Sequence, residues 1–208
     1  MKLLLINTCG ADNTVALAEN GTIAATANLP PRGTSEHLMR AIRNLFAASP
    51  APPDAVAIVN GPGSFTGVRL GLSAAKGLCE AWAIPMVAIS RLAMLASALE
   101  SATEVVAVLD AGRGEYYCGV YRGRIQLREE LLRLEEVQTL LNQWPGVACE
   151  QRVVASLGET VRLIDEPGPR TILAMALDRI AAQDWSDVAL TDANYLRRTD
   201  AELLAKHP

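Results

Sequence analysis

The sequence predicts an α/β protein in which helices pack on mixed β-sheets, and two observations support this. The first half contains three short strand-like segments separated by tight turns and then alternates helical and strand-like segments. The second half also begins with strands and ends with helices, although less regularly. Because a sheet and its helices cover each other's apolar faces, this order is typical of helices packed on sheets. We expect the chain to divide into residues 1–102 and 103–208.

The elements of the first half follow from local signals. Asn20-Gly21 is a strong signal for a tight hairpin, and Ser90 is a suitable helix cap. Thr34 or Ser35 can cap an earlier helix, which the proline-rich residues 49–54 end. The predicted strands are residues 2–8, 14–20, 22–28, 55–59 and 86–90. The predicted helices are residues 34–48, a segment that ends near residue 83, and a segment that follows Ser90.

The second half is less regular. Residues 104–112 and 114–123 are predicted to form a pair of strands, and residues 124–134 follow them. Helical spacing of apolar residues predicts one helix near residues 137–143 and a last helix at about residues 171–182. The stretch between those two helices contains glycine and proline, and no element is assigned to it.

Composition and charge narrow the functional class. The chain has 208 residues, a formal net charge of −4 and a hydrophobic fraction of 50%. No apolar run approaches the roughly 20 residues that a membrane-spanning helix needs, and the apolar start is too short for a signal peptide. Direct nucleic-acid binding is not favoured, because it normally requires a basic patch. We therefore expect a cytoplasmic protein without membrane contact.

The residue types that bind metals are too few and too scattered for a metal centre. The only histidines are His37 and His207, and the four cysteines form no C-x-x-C pair. A histidine-based site needs several imidazoles close together, and a zinc knuckle needs paired cysteines. We expect buried free thiols in a reducing compartment, and neither a metal nor another cofactor.

Residues 60–70, NGPGSFTGVRL, form the most distinctive motif. They follow a predicted strand and open a helix, which is typical of phosphate-binding loops. A Walker A loop would need glycine at position 66 and lysine at position 67, where this chain has Thr66 and Gly67. The dinucleotide fingerprint G-x-G-x-x-G also fails, because its third glycine is displaced by one position. A generic anion site at the helix N-terminus stays open.

The glycines of this segment also follow a helical period. Gly63, Gly67, Gly71 and Ala75 recur every four residues and form one smooth stripe. Glycine costs about 1 kcal/mol in a helix interior relative to alanine, so several glycines on one face indicate a close neighbour. That neighbour can be the chain's own sheet or a helix of a partner, and the pattern leaves both open.

The residues alone contain no complete catalytic set. Ser64 lies outside a G-x-S-x-G elbow, and with only His37 as a plausible base, a helix-capping role is the simpler interpretation. Asp110 ends a predicted strand and could face a cleft with Glu115, where paired carboxylates can bind magnesium. A turn aspartate and a solvated glutamate are the simpler alternative for that pair.

Three segments carry a resemblance to a known family. Residues 60–90, NGPGSFTGVRLGLSAAKGLCEAWAIPMVAIS, are similar to the hallmark segment of the TsaB (YeaZ) family, bacterial accessory proteins in threonylcarbamoyladenosine modification of tRNA. The segment LDAGRGEYYCGVY resembles the family's DAR-x-GE-x-Y segment, and NYLRR, with Arg197 and Arg198, resembles its C-terminal Y-x-R. The resemblance covers essentially the whole chain and is weakest over residues 129–169.

The resemblance implies an actin-like or Hsp70-like ATPase fold of the ribonuclease H-like class, with two related subdomains. It also implies an inactive paralogue of TsaD, which transfers the threonylcarbamoyl group to adenosine with a metal held by an H-x-x-x-H motif. That motif is absent from this sequence. Asn7 stands where members of the fold often place a phosphate-contacting aspartate, so Asn7 and Asp110 are the candidates for a vestigial nucleotide site.

The resemblance further implies partners. TsaD is the expected partner in a heterodimer, TsaE joins a larger complex, and the chain can pair with itself when alone. The modified tRNAs would be those that read codons beginning with adenine, reached through the complex. The candidate interface residues are Leu38, Met39, Ile42, Gly63, Phe65, Gly67, Leu70, Gly71 and Ala74. The alternative function is a stand-alone nucleotide-dependent enzyme, a small-molecule kinase or ATPase, that uses Asp110 and the glycine loop.

Overall fold

The computed structural model describes residues 1–30, 33–47, 50–99 and 101–196. Within these ranges the chain forms two five-stranded sheets and six helices. The strands are β1 (Lys2–Asn7), β2 (Thr14–Glu19), β3 (Thr22–Asn28), β4 (Ala55–Val59), β5 (Met86–Ile89), β6 (Val105–Gly112), β7 (Glu115–Arg122), β8 (Ile125–Arg133), β9 (Gly146–Ala148) and β10 (Val161–Leu163). The helices are α1 (Thr34–Leu45), α2 (Phe65–Trp82), α3 (Arg91–Ala96), α4 (Leu134–Leu141), α5 (Gln151–Leu157) and α6 (Pro169–Ala181).

The two sheets have the same topology. The strand orders are β3-β2-β1-β4-β5 and β8-β7-β6-β9-β10, so β6 occupies in the second sheet the place that β1 has in the first. In each sheet three consecutive strands form an antiparallel meander, and the next two strands extend it in parallel on the other side of the first. This repeat confirms the predicted class, two related α/β subdomains with mixed sheets.

The strands of the first sheet form for identifiable reasons. All five residues of β4 are buried, and β1 is buried beyond its first residue. Strands buried on both faces read as continuous apolar runs, which is how these two appear in the sequence. The tight turn between β2 and β3 is formed by Asn20 and Gly21, with φ angles of 51° and 78°. The hairpin that this dipeptide predicted is therefore present.

The last helix of each half packs on the other half's sheet. Ile172, Leu173 and Ala176 of α6 join the core of the first sheet. Conversely, Leu92 and Leu95 of α3 belong to a cluster with strands of the second sheet. The predicted division at residue 102 therefore separates the strands of the two sheets. Helices α3 and α6, however, each pack on the sheet of the other half. A helical stripe shows that a helix is amphipathic, but it does not say which sheet the helix covers.

Some local predictions need correction. Helix α1 is capped by Gly33 without a side-chain hydrogen bond, and the Thr34 hydroxyl donates to the Pro30 carbonyl instead. Ser90 does cap α3, since its Oγ accepts a hydrogen bond from the backbone N–H of Leu92 at 3.2 Å. For residues 144–169 the sequence predicts no element, but the structure places β9, α5 and β10 there, and α6 begins at Pro169. The first three of these elements have only 3, 7 and 3 residues, too short for a periodic signal.

In the described ranges, no helix is both long and apolar enough to span a bilayer.

The packing of α6 on the first sheet can be tested by truncating one side chain. Ile172 is 1% exposed, so Ile172→Ala should lower the free energy of unfolding by about 2 to 5 kcal/mol through the cavity it leaves. Leu163→Ala is the matched control, because Leu163 is 44% exposed. Urea unfolding of both variants measures the difference. Equal losses for the two variants would contradict the placement of α6.

Candidate functional site

The glycine-rich segment forms the loop before α2 and its first turns, as the sequence predicts. Ser64 is the N-cap residue, and its Oγ accepts a hydrogen bond from the backbone N–H of Gly67 at 3.3 Å. This bond satisfies one of the free N–H groups at the helix start. The helix-capping interpretation of Ser64 is confirmed.

The glycine stripe of α2 packs against the chain's own backbone. A Cβ atom at Gly67 would lie 1.9 Å from the Thr8 carbonyl oxygen, and one at Gly63 would lie 2.2 Å from that of Cys9. A Cβ at Gly71 would lie 2.3 Å from Thr8 Oγ1. Such distances are far below van der Waals contact, so no larger residue fits.

Hydrogen bonds tie the same two segments together. Thr8 Oγ1 donates to the Gly67 carbonyl at 2.6 Å, and the Ser64 backbone N–H donates to the Cys9 carbonyl at 2.8 Å. The close neighbour of the stripe is therefore the end of β1 and the loop after it. The assignment of Gly63, Gly67 and Gly71 to a partner interface is corrected accordingly.

The remaining interface candidates divide by exposure. Leu38 and Ile42 are 0% and 3% exposed and belong to the core of the first sheet, so their assignment to a partner face is also corrected. Helix α1 turns one face inward, and these residues lie on that face. Met39 and Phe65 are 51% and 56% exposed. Leu70 and Ala74 are half-buried. We call Met39, Phe65, Leu70 and Ala74 the α1–α2 surface.

A cleft of about 710 Å³ lies between the two sheets. One wall comes from the loop between β1 and β2 and from the glycine loop before α2. The other wall comes from the end of β6, the start of α5 and the segment after β10. Among the described residues, the charged side chains in its lining are Asp12, Arg91, Asp110, Glu150, Arg152, Asp165 and Glu166. Five carboxylates against two guanidinium groups make the described lining acidic, which disfavours direct contact with phosphate.

An ion pair lies in the cleft. Arg91 is only 4% exposed, and its Nε and Nη2 donate to the two carboxylate oxygens of Glu166 at 2.6 and 2.5 Å. The Cys149 thiol donates to the same carboxylate at 3.0 Å, and Glu150 lies 3.9 Å from the Arg91 guanidinium. Two-point pairing of this kind is the strongest arrangement of an arginine and a carboxylate.

The protonation states of this cluster follow from burial and charge. Burial alone would raise the pKa of Glu166, but the hydrogen bonds and positive charge of Arg91, with the bond from Cys149, lower it below 4.5. Burial, assisted by Glu166, raises the pKa of Cys149 to about 12. Burial also raises the pKa of the Cys9 thiol to about 12. Both thiols are therefore protonated near neutral pH, and neither is an activated nucleophile.

Asp110 lies at the cleft but its carboxylate is engaged locally. Its Oδ1 accepts a hydrogen bond from the Gly112 backbone N–H at 2.6 Å, and its Oδ2 is 2.9 Å from Nε of Arg152. The first bond is that of a turn aspartate, which was the simpler interpretation. Glu115 is not among the described residues of the cleft lining.

Asn7 shapes the backbone rather than presenting a ligand. It is 2% exposed at the end of β1, and its Oδ1 accepts a hydrogen bond from the Cys9 backbone N–H at 3.1 Å. Across the described ranges, no three histidine, cysteine, aspartate or glutamate residues are grouped so that they could hold a metal ion. A vestigial nucleotide site at Asn7 and Asp110 stays a prediction.

Sequence patterns missed two clusters. Arg91 and Glu166 are separated by 75 positions, and no local motif links them. The Arg69 guanidinium lies 3.8 Å from the centroid of the Phe65 ring, and its Nε donates to the Tyr195 hydroxyl. Arg197 and Arg198, which follow Tyr195 closely in the C-terminal motif, lie outside the described residues.

Comparison with known proteins gives consistent matches. The family model described as "TsaD: tRNA N6-adenosine threonylcarbamoyltransferase" matches residues 29–142. The chain is 31% identical to the tRNA threonylcarbamoyladenosine biosynthesis protein TsaB of Escherichia coli, over 97% of this chain and 96% of the relative. It is 34% identical to TsaB of Haemophilus influenzae, over 100% of this chain and 88% of the relative.

A solved structure agrees with these sequence matches. The structure is similar to YeaZ from Pseudomonas aeruginosa, with a TM-score of 0.78 and 25% identity, over 94% of this chain and 100% of the other. The relatives from Escherichia coli and Haemophilus influenzae are described as biosynthesis proteins for a tRNA modification. These matches give no support to the alternative of a small-molecule kinase or ATPase.

The glycine stripe can be tested with two glycines of the same helix. Gly67→Ala would place a methyl group against the Thr8 carbonyl, so it should lower the free energy of unfolding by about 3 kcal/mol or more. Gly77→Ala is the matched control, because a Cβ there meets nothing within 4 Å. That control should be neutral or stabilise by up to about 1 kcal/mol. Chemical denaturation measures both. A neutral Gly67→Ala would show that α2 does not pack this closely.

The Arg91–Glu166 pair should make stability depend on pH. Because the pKa of Glu166 is lowered from 4.5 by folding, its carboxylate stabilises the fold above that pH, and the contribution is lost as pH falls through the folded value. The stability gap between the natural chain and Glu166→Gln should therefore be largest above pH 4.5 and shrink below it. Urea unfolding at a series of pH values measures the gap. A gap that does not change with pH would exclude this ionic contribution.

Proposed function

Because the chain belongs to the TsaB family, we propose that it acts in the formation of threonylcarbamoyladenosine in tRNAs that read codons beginning with adenine. The observation that carries this proposal is the identity to the Escherichia coli relative over 97% of the chain. An alignment that spans nearly the full length of both proteins supports a shared role for the whole chain rather than for one subdomain. The working place of such a protein is the cytoplasm, where tRNA is modified.

Within this role the chain is a non-catalytic partner of the transferase TsaD. The sequence has two histidines, at positions 37 and 207, so an H-x-x-x-H metal motif cannot be formed. The charge of the cleft supports the same proposal, because carboxylates outnumber guanidinium groups among its described lining residues and would repel a nucleotide's phosphates. The buried thiols are protonated and offer no nucleophile.

The α1–α2 surface is the proposed docking site for TsaD. Met39 and Phe65 expose about half of their side-chain surface on adjacent helices of the first subdomain. Large apolar side chains exposed on one face are typical of protein interfaces, and an aromatic ring often supplies much of the binding energy. In isolation the same surface would pair two copies of the chain. TsaE joins the larger complex, and tRNA is reached through the complex.

The function is tested by reconstitution. Purified TsaD and TsaE, supplied with a threonylcarbamoyl donor, should form threonylcarbamoyladenosine on unmodified tRNA only when this chain is added. Mass spectrometry of digested tRNA detects the nucleoside. The chain alone should neither form it nor hydrolyse ATP appreciably. Robust turnover by the isolated chain would refute the non-catalytic role, and full activity of the mixture without it would refute the accessory role.

The docking site is tested separately. The double variant Met39→Asp/Phe65→Asp would bury charge in the proposed interface, so its affinity for TsaD should fall at least about tenfold. The matched control is Ile125→Asp, because Ile125 is 65% exposed in β8 of the second sheet. Calorimetric titration measures the affinity, and thermal unfolding verifies that both variants are folded. Unchanged affinity in the double variant would place the interface elsewhere.

A further inference from the structure

Two consecutive residues, Ser90 and Arg91, make polar links between the two sheets. They follow β5 of the first sheet and begin α3, which packs on the second sheet. The backbone N–H of Arg91 donates to the Gly61 carbonyl at 2.7 Å, which ties it to the glycine loop before α2. The start of α3 is thus anchored to the first sheet through its backbone.

The side chain of Arg91 reaches the other wall of the cleft. Its two hydrogen bonds to Glu166, with Cys149 and Glu150 close by, join it to the segments after β9 and β10. A Cβ atom at Gly10, in the loop after β1, would lie 3.1 Å from Nη2 of Arg91 and 3.2 Å from Glu166. The ion pair therefore contacts both walls and bridges them at this point of the cleft.

Ser90, the residue before Arg91, makes a second link to the second sheet. Its hydroxyl and that of Tyr121 donate to one oxygen of Glu129, in β8 of the second sheet. The side-chain amide of Asn194 donates to the other oxygen, and the backbone N–H of Asn194 donates to the Asn60 carbonyl. Glu129 and Glu166, both in the second half of the chain, thus bind Ser90 and Arg91 at the start of α3.

We propose that Arg91 is an internal clasp, which through Glu166 holds the cleft closed and fixes the angle between the two subdomains without a bound ligand. Two subdomains joined through a cleft are expected to move relative to each other unless specific contacts prevent it. A buried guanidinium that loses its carboxylate is strongly destabilised, so opening the cleft is unfavourable while the pair is intact. The clasp concerns the free chain and does not rest on the proposed function.

The cysteines of the chain provide the test. Cys9 and Cys149 line the cleft. Cys9 is 1% exposed and belongs to the core of the first sheet, where its thiol donates to the Val59 carbonyl at 2.9 Å, so it is covered while the cleft is closed. Cys79 and Cys118 are buried around α2 and β7 and are not among the described lining residues. Cleft opening exposes the first two thiols, and global unfolding exposes all four. Alkylation of the full chain by N-ethylmaleimide, followed by peptide mass spectrometry, gives a rate for each thiol.

In Arg91→Met, the alkylation rate of Cys9 should rise at least about tenfold, with a smaller rise at the partly exposed Cys149 and none at Cys79 or Cys118. Loss of the Arg91 charge by itself raises the pKa of Cys9 and slows its reaction. Exposure of the thiol has the opposite effect, because burial is the main cause of its raised pKa. A faster reaction therefore reports that Cys9 has become exposed to solvent. The matched control is Arg122→Met, which removes the surface ion pair with Glu104 and should change no rate.

Two outcomes would overturn the clasp. An unchanged rate at Cys9 in a folded Arg91→Met variant would show that other contacts keep the cleft closed. A parallel rise at all four thiols would show that Arg91 stabilises the whole fold and not the cleft. If Arg91→Met does not fold, Arg91→Lys replaces it, because lysine keeps the charge but cannot make the two-point pair. Its rate at Cys9 should lie above that of the natural chain, and an equal rate would refute the proposal.

Discussion

The close approach of α2 to the end of β1 is the constraint on which the arrangement of this molecule depends. It is possible only because positions 63, 67 and 71 carry no side chain that would overlap with Thr8 and Cys9. The contact fixes the loop between β1 and β2, which is one wall of the cleft. It also turns the other side of α2 outward, so Phe65 is exposed at its start. One packing contact thus positions both the cleft and the α1–α2 surface.

The second feature that determines the architecture is the exchange of helices between the halves. Helix α3 covers the sheet that follows it in sequence, and α6 returns to cover the first sheet. Neither sheet is fully covered by helices of its own half, so the two subdomains stabilise each other. The walls of the cleft between them carry charged residues that are distant in sequence.

Part of the charge in the cleft is paired internally. A buried arginine and a carboxylate satisfy each other there, and the nearby thiols keep their protons. Charged groups that are fully paired in this way are not free to bind a substrate or transfer a proton. On the outer face of the first subdomain, Met39 and Phe65 stay about half exposed, although Phe65 also contacts Arg69 and Tyr195. The docking role proposed for the α1–α2 surface rests on this exposure.

The sequence by itself determined the fold class, the hairpin at Asn20-Gly21 and the caps at Ser64 and Ser90, because each depends on a few neighbouring residues. It also required a close neighbour for the glycine stripe, but it could not identify that neighbour. Only the tertiary structure decided that the stripe faces Thr8, that Leu38 and Ile42 belong to the core, and that α6 covers the first sheet. It alone paired Arg91 with Glu166 across 75 positions. Local signals specify elements, whereas pairing between distant residues depends on how those elements pack.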